Sequence, residues 1–160
     1  MKEIPLTQGK VSFVDDEDFE FLSRWKWSNW TTSRRRTSYA IRSTYINGKR
    51  GTIFMHRAIL GLSDSSIHGD HHDGNGLNNI RSNLRTATCS QNSHNRQIPL
   101  NNSSGFKGVY RHKYGRSWHA RIKVNDKMLD CGHYQTPANA AIAYNIAALQ
   151  YFGEFARLNT

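Results

Sequence analysis

The stretch "QIPLNNSSG" (Gln97–Gly105) does most to limit what this chain can fold into. It is polar, carries one proline and lacks any apolar period, so it reads as a linker between two structured parts. The whole chain has 160 residues. Two parts of about 80 residues can each bury only a modest core. The expected class is α+β: a strand-rich N-terminal region leading into a strand–loop–strand–helix segment, then the linker and a three-stranded antiparallel sheet packed on one helix.

Residues 1–66 read as strands with short helices. In "DDEDFEFLSRW" acidic residues lead, and Phe19, Leu22 and Trp25 follow at helical spacing. The acidic cluster Asp15–Asp18 is expected to cap that helix and oppose its dipole rather than to bind metal. "TSYAIRSTYINGKRGTIFMH" reads as a hairpin: Tyr39, Ile41, Ser43 and Tyr45 fall on one strand, and Asn47-Gly48 makes the turn. "MHRAILG" reads as a short helix ending at Gly61, with His56 a packed or hydrogen-bonded histidine. Residues 67–96 read as strand, long loop, strand, helix. Thr88 and Gln91 form a capping box that starts the helix near Cys89. Beyond the linker, "FKGVYRHK", "SWHARIKV" and "KMLDCGHY" read as three strands. An alanine-rich helix comes next, with Thr136 as N-cap and Pro137 at its first position.

Charge narrows the partner. The net charge is +10 and the pI about 10.0. The surplus divides evenly, +5 in residues 1–96 and +5 in residues 97–160. Such a surplus points to a polyanion, with nucleic acid the first expectation. Arg34, Arg35 and Arg36 in a Ser/Thr-rich stretch, and Arg57, are candidate phosphate contacts. No apolar run long enough to span a membrane is present, and the N-terminus lacks a secretory h-region. Two well-separated cysteines, Cys89 and Cys131, exclude a Cys₄ zinc ribbon and argue against a disulfide framework. A soluble cytoplasmic protein is expected, in a bacterial host if the gene is phage-borne.

The chemistry is concentrated in "GDHHDGNGLNN" (Gly69–Asn79) and in the residues up to Asn95. His71 titrates near neutral pH and is a candidate general base. Asp70, one residue earlier on a strand, points to the other side and is a candidate metal ligand. Asn92, early in the next helix, offers an amide oxygen as a second ligand. These hard donors suit one Mg²⁺ or Mn²⁺ ion, with water and substrate phosphate completing the shell. Asp73, Gly74 and Asn75 read as turn formers. His72 reads as a loop residue, and His94 and Asn95 rank below Asn92 as ligands.

The segment "DHHDGNGLNNIRSNLRTATCSQNSHN" resembles the ββα-metal motif of HNH endonucleases, especially the phage and intron homing branch. The matching positions are Asp70 and His71, then Asn83 twelve residues on, then Asn92 nine further. The final position is Asn rather than the histidine of the family's name, a change common in the homing branch. The resemblance implies that His71 activates water, that Asp70 and Asn92 bind the metal, and that Asn83 braces the loop so that His71 is oriented. It implies phosphodiester hydrolysis, the water attacking phosphorus in line while one ion stabilises the phosphate and leaving oxygen.

Residues 105–159 resemble the plant APETALA/ethylene-response-factor DNA-binding domain. Gly108-Val109, Trp118, Gly132, the alanine-tyrosine run at 140–144 and Gly153 to Asn159 fall in step. In that family the sheet enters the major groove. The matching positions are Lys107, Tyr110, His112, Trp118, Arg121 and Lys123, with Arg116 on phosphate. Tyr110 and His112 stand where the plant domains carry arginine, and Arg121 where they carry glutamate, so the family's base preference does not transfer. The expected organisation is a nuclease domain at 1–96, a linker at 97–104 and a DNA-binding domain at 105–160. The expected function is a homing-type DNA endonuclease acting on double-stranded DNA, as a monomer or a dimer on DNA, with no protein partner evident. The alternatives are a non-cleaving DNA-binding regulator and, explaining the two motifs less well, an RNA-processing protein.

Overall fold

Alternating side chains set the first sheet. β1 (Lys2–Pro5) and β2 (Val11–Val14) pair antiparallel, Lys2 opposite Val14 and Pro5 opposite Val11. Ile4, Ser12 and Val14 are buried, while Lys2, Glu3 and Pro5 are exposed. This is a computed structural model that describes residues 1–32, 37–46, 48–99 and 101–160. Arg34, Arg35 and Arg36 lie outside the described residues.

α1 (Asp16–Leu22) comes directly after β2 and buries Leu22. Its acidic start does not serve as a cap: Asp15 is the N-cap residue yet makes no side-chain cap bond. Asp15 Oδ2 instead accepts the backbone N–H of Arg81 at 2.7 Å. Asp18, buried, receives Nε and Nη2 of Arg81 at 2.8 and 2.7 Å, and Glu17 lies 2.7 Å from Nε. The physical reason is the burial of Asp18. A carboxylate taken from water needs a charged, two-pronged partner more than an exposed helix end needs a cap.

β3 (Ser28–Thr31), β4 (Ser38–Ile46) and β5 (Lys49–Phe54) form an antiparallel sheet in the order β3-β4-β5. Gly48, at φ 74°, sits in the β4–β5 turn; Asn47 lies outside the described residues. β5 runs straight into α2 (Met55–Ile59). β6 (His68–His71) and β7 (Leu84–Ala87) pair as a two-stranded ribbon, and α3 (Cys89–His94) comes after it. The capping box forms in both directions: Thr88 N–H to Gln91 Oε1 at 2.9 Å, and Gln91 N–H to Thr88 Oγ1 at 3.2 Å. One core, with Ile4, Val14, Leu22, Trp27, Met55, Ile59 and Leu84, joins β1, β2, α1, α2 and β7.

The chain divides into two compact units, Met1–Ser93 and His94–Thr160. In the second, β8 (Val109–Arg111), β9 (Trp118–Val124) and β10 (Lys127–Tyr134) form an antiparallel sheet in the order β10-β9-β8. α4 (Pro137–Phe152) packs on it, and Thr136 Oγ1 accepts the Asn139 N–H at 3.2 Å as N-cap. Small side chains let helix and sheet approach closely: Ala140, Ala141, Ala147 and Ala148 are buried with Tyr144, Val109, Ala120 and Ile122. Gly108 (φ 72°) is part of the same fit, since a Cβ there would meet the Tyr144 ring. Within the stretch expected to be a linker, Asn102 to Gly105 form a tight turn. Asn102 Oδ1 accepts the N–H of Ser104 and of Gly105 at 3.1 and 2.7 Å. Among the described residues, no helix is long and apolar enough to cross a membrane.

Candidate functional site

On the β6–β7 ribbon, Asp70 stands opposite Arg85 and His71 opposite Leu84. Successive strand residues alternate, so Asp70 and His71 leave the ribbon on opposite sides. Both are buried. Asp70 Oδ2 takes Nε and Nη2 of Arg85 at 2.9 and 2.8 Å. His71 sits among rings: Tyr39 at 5.9 Å and His56, edge-on, at 4.9 Å between centroids. Gly69 makes room for this, because a Cβ there would strike the His56 ring.

Burial holds His71 below the ordinary histidine range, although Asn79, Asp73 and Asp70 pull the other way. His56 is pushed down to about 3 by burial and by the neighbouring His71 and Arg57. Both imidazoles are therefore neutral at neutral pH, as a general base must be before it acts.

The ring of His71 is held by Asn79. Its Nε2 lies 3.1 Å from Asn79 Oδ1. The amide is fixed by its other end: Nδ2 donates to Ser12 Oγ at 2.7 Å and to the Gly76 carbonyl at 3.4 Å. Oδ1 can only accept, so Nε2 carries the proton and Nδ1 is the basic nitrogen. Strand β2 supports this arrangement: Phe13 N–H donates to Leu77 O at 2.9 Å, and Asn79 N–H to Phe13 O at 2.8 Å. Ser12 and Asn79 are wholly buried.

Asn83 acts one step away. Its Oδ1 accepts the Asp73 N–H at 3.1 Å, and its Nδ2 donates to Asp73 Oδ1 at 3.0 Å and to Asn78 O at 2.8 Å. It closes the turn just after His71, while the ring's own partner is Asn79, which sequence reasoning leaves in a polar loop. The only sequence sign is an asparagine eight residues past the candidate base, in a loop that must return. Sequence reasoning misses Arg85 too, since its role depends on the strand register. Asn92 is half-buried in α3, and its N–H makes a helical bond to Thr88 O at 3.0 Å. His72 is exposed. His94 belongs to the second unit, where its ring stacks on Phe152 at 3.6 Å.

Several expected DNA contacts are spent elsewhere. Arg57 donates to three carbonyls, Ile67 and Asp64 at 2.7 Å and Leu62 at 3.2 Å, so it clamps the loop between α2 and β6. Lys107 Nζ is bonded to the carbonyls of His94 and Arg96. Trp118 packs against the helix-side core, because strand alternation puts it on the face opposite Arg121 and Lys123. The remaining positions share the open face or its edge. Tyr110, Arg121, Lys123 and Arg116 are exposed, and His112 is half-buried. A groove of about 280 Å³ is lined by Tyr110, His112, Tyr114, His119 and Arg121 among others. Lys123 is paired with Asp126 at 2.8 Å.

No family model matches the chain. An uncharacterized HNH endonuclease of Acanthamoeba polyphaga mimivirus is 34% identical over 158 residues, covering 95% of this chain and 76% of that protein. Protein 3.8 of Escherichia phage T7 is 40% identical over 58 residues, 36% of this chain and 48% of its own length. An AP2-like ethylene-responsive transcription factor of Arabidopsis thaliana is 44% identical over 52 residues, 31% of this chain and 15% of its own length. Part of the chain is thus similar to AP2-type plant factors, and by its likeness over nearly the full length the chain belongs to the HNH endonuclease family.

Proposed function

We propose that the protein is a metal-dependent DNA endonuclease of the homing type. In this reading residues 1–96 cut and residues 105–160 select the site. β6, β7 and α3 serve as the ββα-metal unit. The observation that carries the reading is the His71–Asn79 contact, which leaves a buried, neutral imidazole with a defined basic nitrogen.

The donor set fits a hard divalent ion. Asp70 supplies a carboxylate and Asn92 an amide oxygen, and one carboxylate in the ribbon suits one ion rather than two. Asp70 and Asn92 would hold Mg²⁺ or Mn²⁺, which when bound supplies charge stabilisation at the phosphate. His71 Nδ1 accepts a proton from the attacking water. Asn79 keeps the ring in the tautomer that makes Nδ1 basic. Asn83 fixes the turn just past the base. Arg85 holds the Asp70 carboxylate in place through two hydrogen bonds. On the other unit, Tyr110, His112, Arg121 and Lys123 read double-stranded DNA from the open sheet face, with Arg116 on phosphate.

A second reading, a non-cleaving DNA-binding regulator, draws on the Asp70–Arg85 pair, which satisfies the carboxylate without an ion. Purified protein, supercoiled plasmid carrying the DNA that flanks the native gene, and Mg²⁺ or Mn²⁺ separate the two. Nicked or linear product that disappears with EDTA is the expected result. Tight duplex binding with no product under either metal would overturn the nuclease reading in favour of the regulator.

A further inference from the structure

Strands β9 and β10 change register partway along. Asp130 is opposite Arg121, but His133 is opposite His119, so three steps on β10 match two on β9. Gly132, at φ 110°, absorbs the extra residue. In an unbroken strand, residues three apart face opposite ways. The bulge turns His133 onto the same open face as Asp130, beside His119. Cys131, between them in sequence, packs against the helix-side core.

The result is a tight cluster. His119, Asp130 and His133 each present one ligand atom, and these atoms all lie within 4.8 Å of one another. His133 Nε2 is 3.6 Å from Asp130 Oδ2. The other carboxylate oxygen, Oδ1, accepts the Gly132 N–H at 2.9 Å, which steadies the group. The His119 and His133 ring centroids are 3.8 Å apart. His119 lies on the face away from the helix, yet is only 7% exposed. The ring of His112 stacks on it at 4.7 Å. Nδ1 of His119 is buried and has no hydrogen-bond partner among the described residues. A buried polar nitrogen left in that state is costly unless something else binds the cluster.

We propose that His119, Asp130 and His133 form a zinc site that staples β9 to β10 across the bulge. Two imidazoles and one carboxylate are the nitrogen–oxygen set that Zn²⁺ accepts and that Mg²⁺, which prefers oxygen alone, does not. Zinc bonds of about 2.0–2.2 Å place tetrahedral ligand atoms roughly 3.3–3.5 Å apart. The His133–Asp130 spacing is already near that edge, and both side chains are about half exposed, so a small rotation closes the rest. The fourth position is left to water. This site is built from other residues than Asp70 and Asn92, and it needs neither cleavage nor DNA.

The test is a zinc titration of the full-length, EDTA-stripped protein without DNA, read by imidazole ¹H–¹⁵N NMR and thermal melting. Zinc should shift the ring resonances of His119 and His133 together and raise the melting midpoint, while the same concentration of Mg²⁺ leaves those rings unmoved. His133→Gln and Asp130→Asn, both at exposed positions, should each weaken zinc binding by more than about tenfold with an unchanged far-UV CD spectrum. Rings of His119 and His133 that stay unmoved by excess zinc in the wild-type protein would overturn the proposal. So would equal zinc affinity in a folded His133→Gln or Asp130→Asn protein.

Discussion

His71 Nε2 faces Asn79 Oδ1 at 3.1 Å, and this contact decides which nitrogen of the ring can take a proton. Asn79→Asp replaces a neutral acceptor with a carboxylate, which stabilises the imidazolium. The acid limb of the cleavage pH–rate profile should therefore move to higher pH. Asn79→Ala should lower the rate by about 10²-fold, the scale of a misplaced general base. A profile unchanged in both variants would remove Asn79 from the mechanism.

His71→Ala should reduce cleavage by at least about 10²-fold while duplex affinity, read by gel shift, stays within about twofold of wild type. Loss of binding together with cleavage would mean that the ring is a structural element.

Arg85→Met should expose the cost of removing the cation beside a buried carboxylate. Asp70 is 5% exposed, and removing its partner is expected to cost about 3–5 kcal/mol in a urea melt without metal. Mg²⁺ or Mn²⁺ should restore more stability to this variant than to wild type, because the ion takes over neutralising Asp70. Equal metal effects in the two proteins would argue against Asp70 as a ligand.

Acid should destabilise the first unit. His56 and His71 are held below the ordinary histidine value of 6.5, His56 to about 3. Below the ordinary value the unfolded chain binds the proton before the folded one does, so stability falls as pH falls. The full contribution of His56 is present above about pH 6.5 and is lost toward pH 3, and that of His71 falls in the same direction. His56→Phe, if it folds, should flatten the dependence of the urea midpoint on pH.

The open sheet face and its reverse should separate in mutagenesis. Arg121→Ala and Tyr110→Ala should each weaken duplex binding by about 1–3 kcal/mol with little change in melting temperature. Trp118→Ala should do the opposite, lowering melting temperature more than affinity, because that ring packs on the helix-side core. Lys123→Ala should matter less than Arg121→Ala, since Asp126 already engages the ammonium.

What the sequence made legible was local. The Thr88–Gln91 capping box, the Thr136 cap and the three C-terminal strands rest on contacts within a few residues, and spacing reveals those. The acidic start of α1 looks like the same kind of signal. Its partner, Arg81, comes 63 residues after Asp18, and no local rule anticipates a carboxylate buried by the tertiary fold. Asn79 is hidden for a related reason. Gly and Asn in succession announce a turn, and only the docking of that turn on β2 separates the one amide aimed at His71 from its neighbours. Trp118 is the plainest lesson: strand parity already sets it apart from Arg121 and Lys123, whereas family position groups it with them.

The buried link from Ser12 through Asn79 to His71 spans 67 residues at its first step. Its anchor is β2, whose only ladder partner among the described strands is β1. Ser12 and Val14 of β2 are wholly buried, so the amide that orients the ring is held by the interior of the fold. The orientation of His71 is thus tied to the docking of a strand that lies far away in sequence.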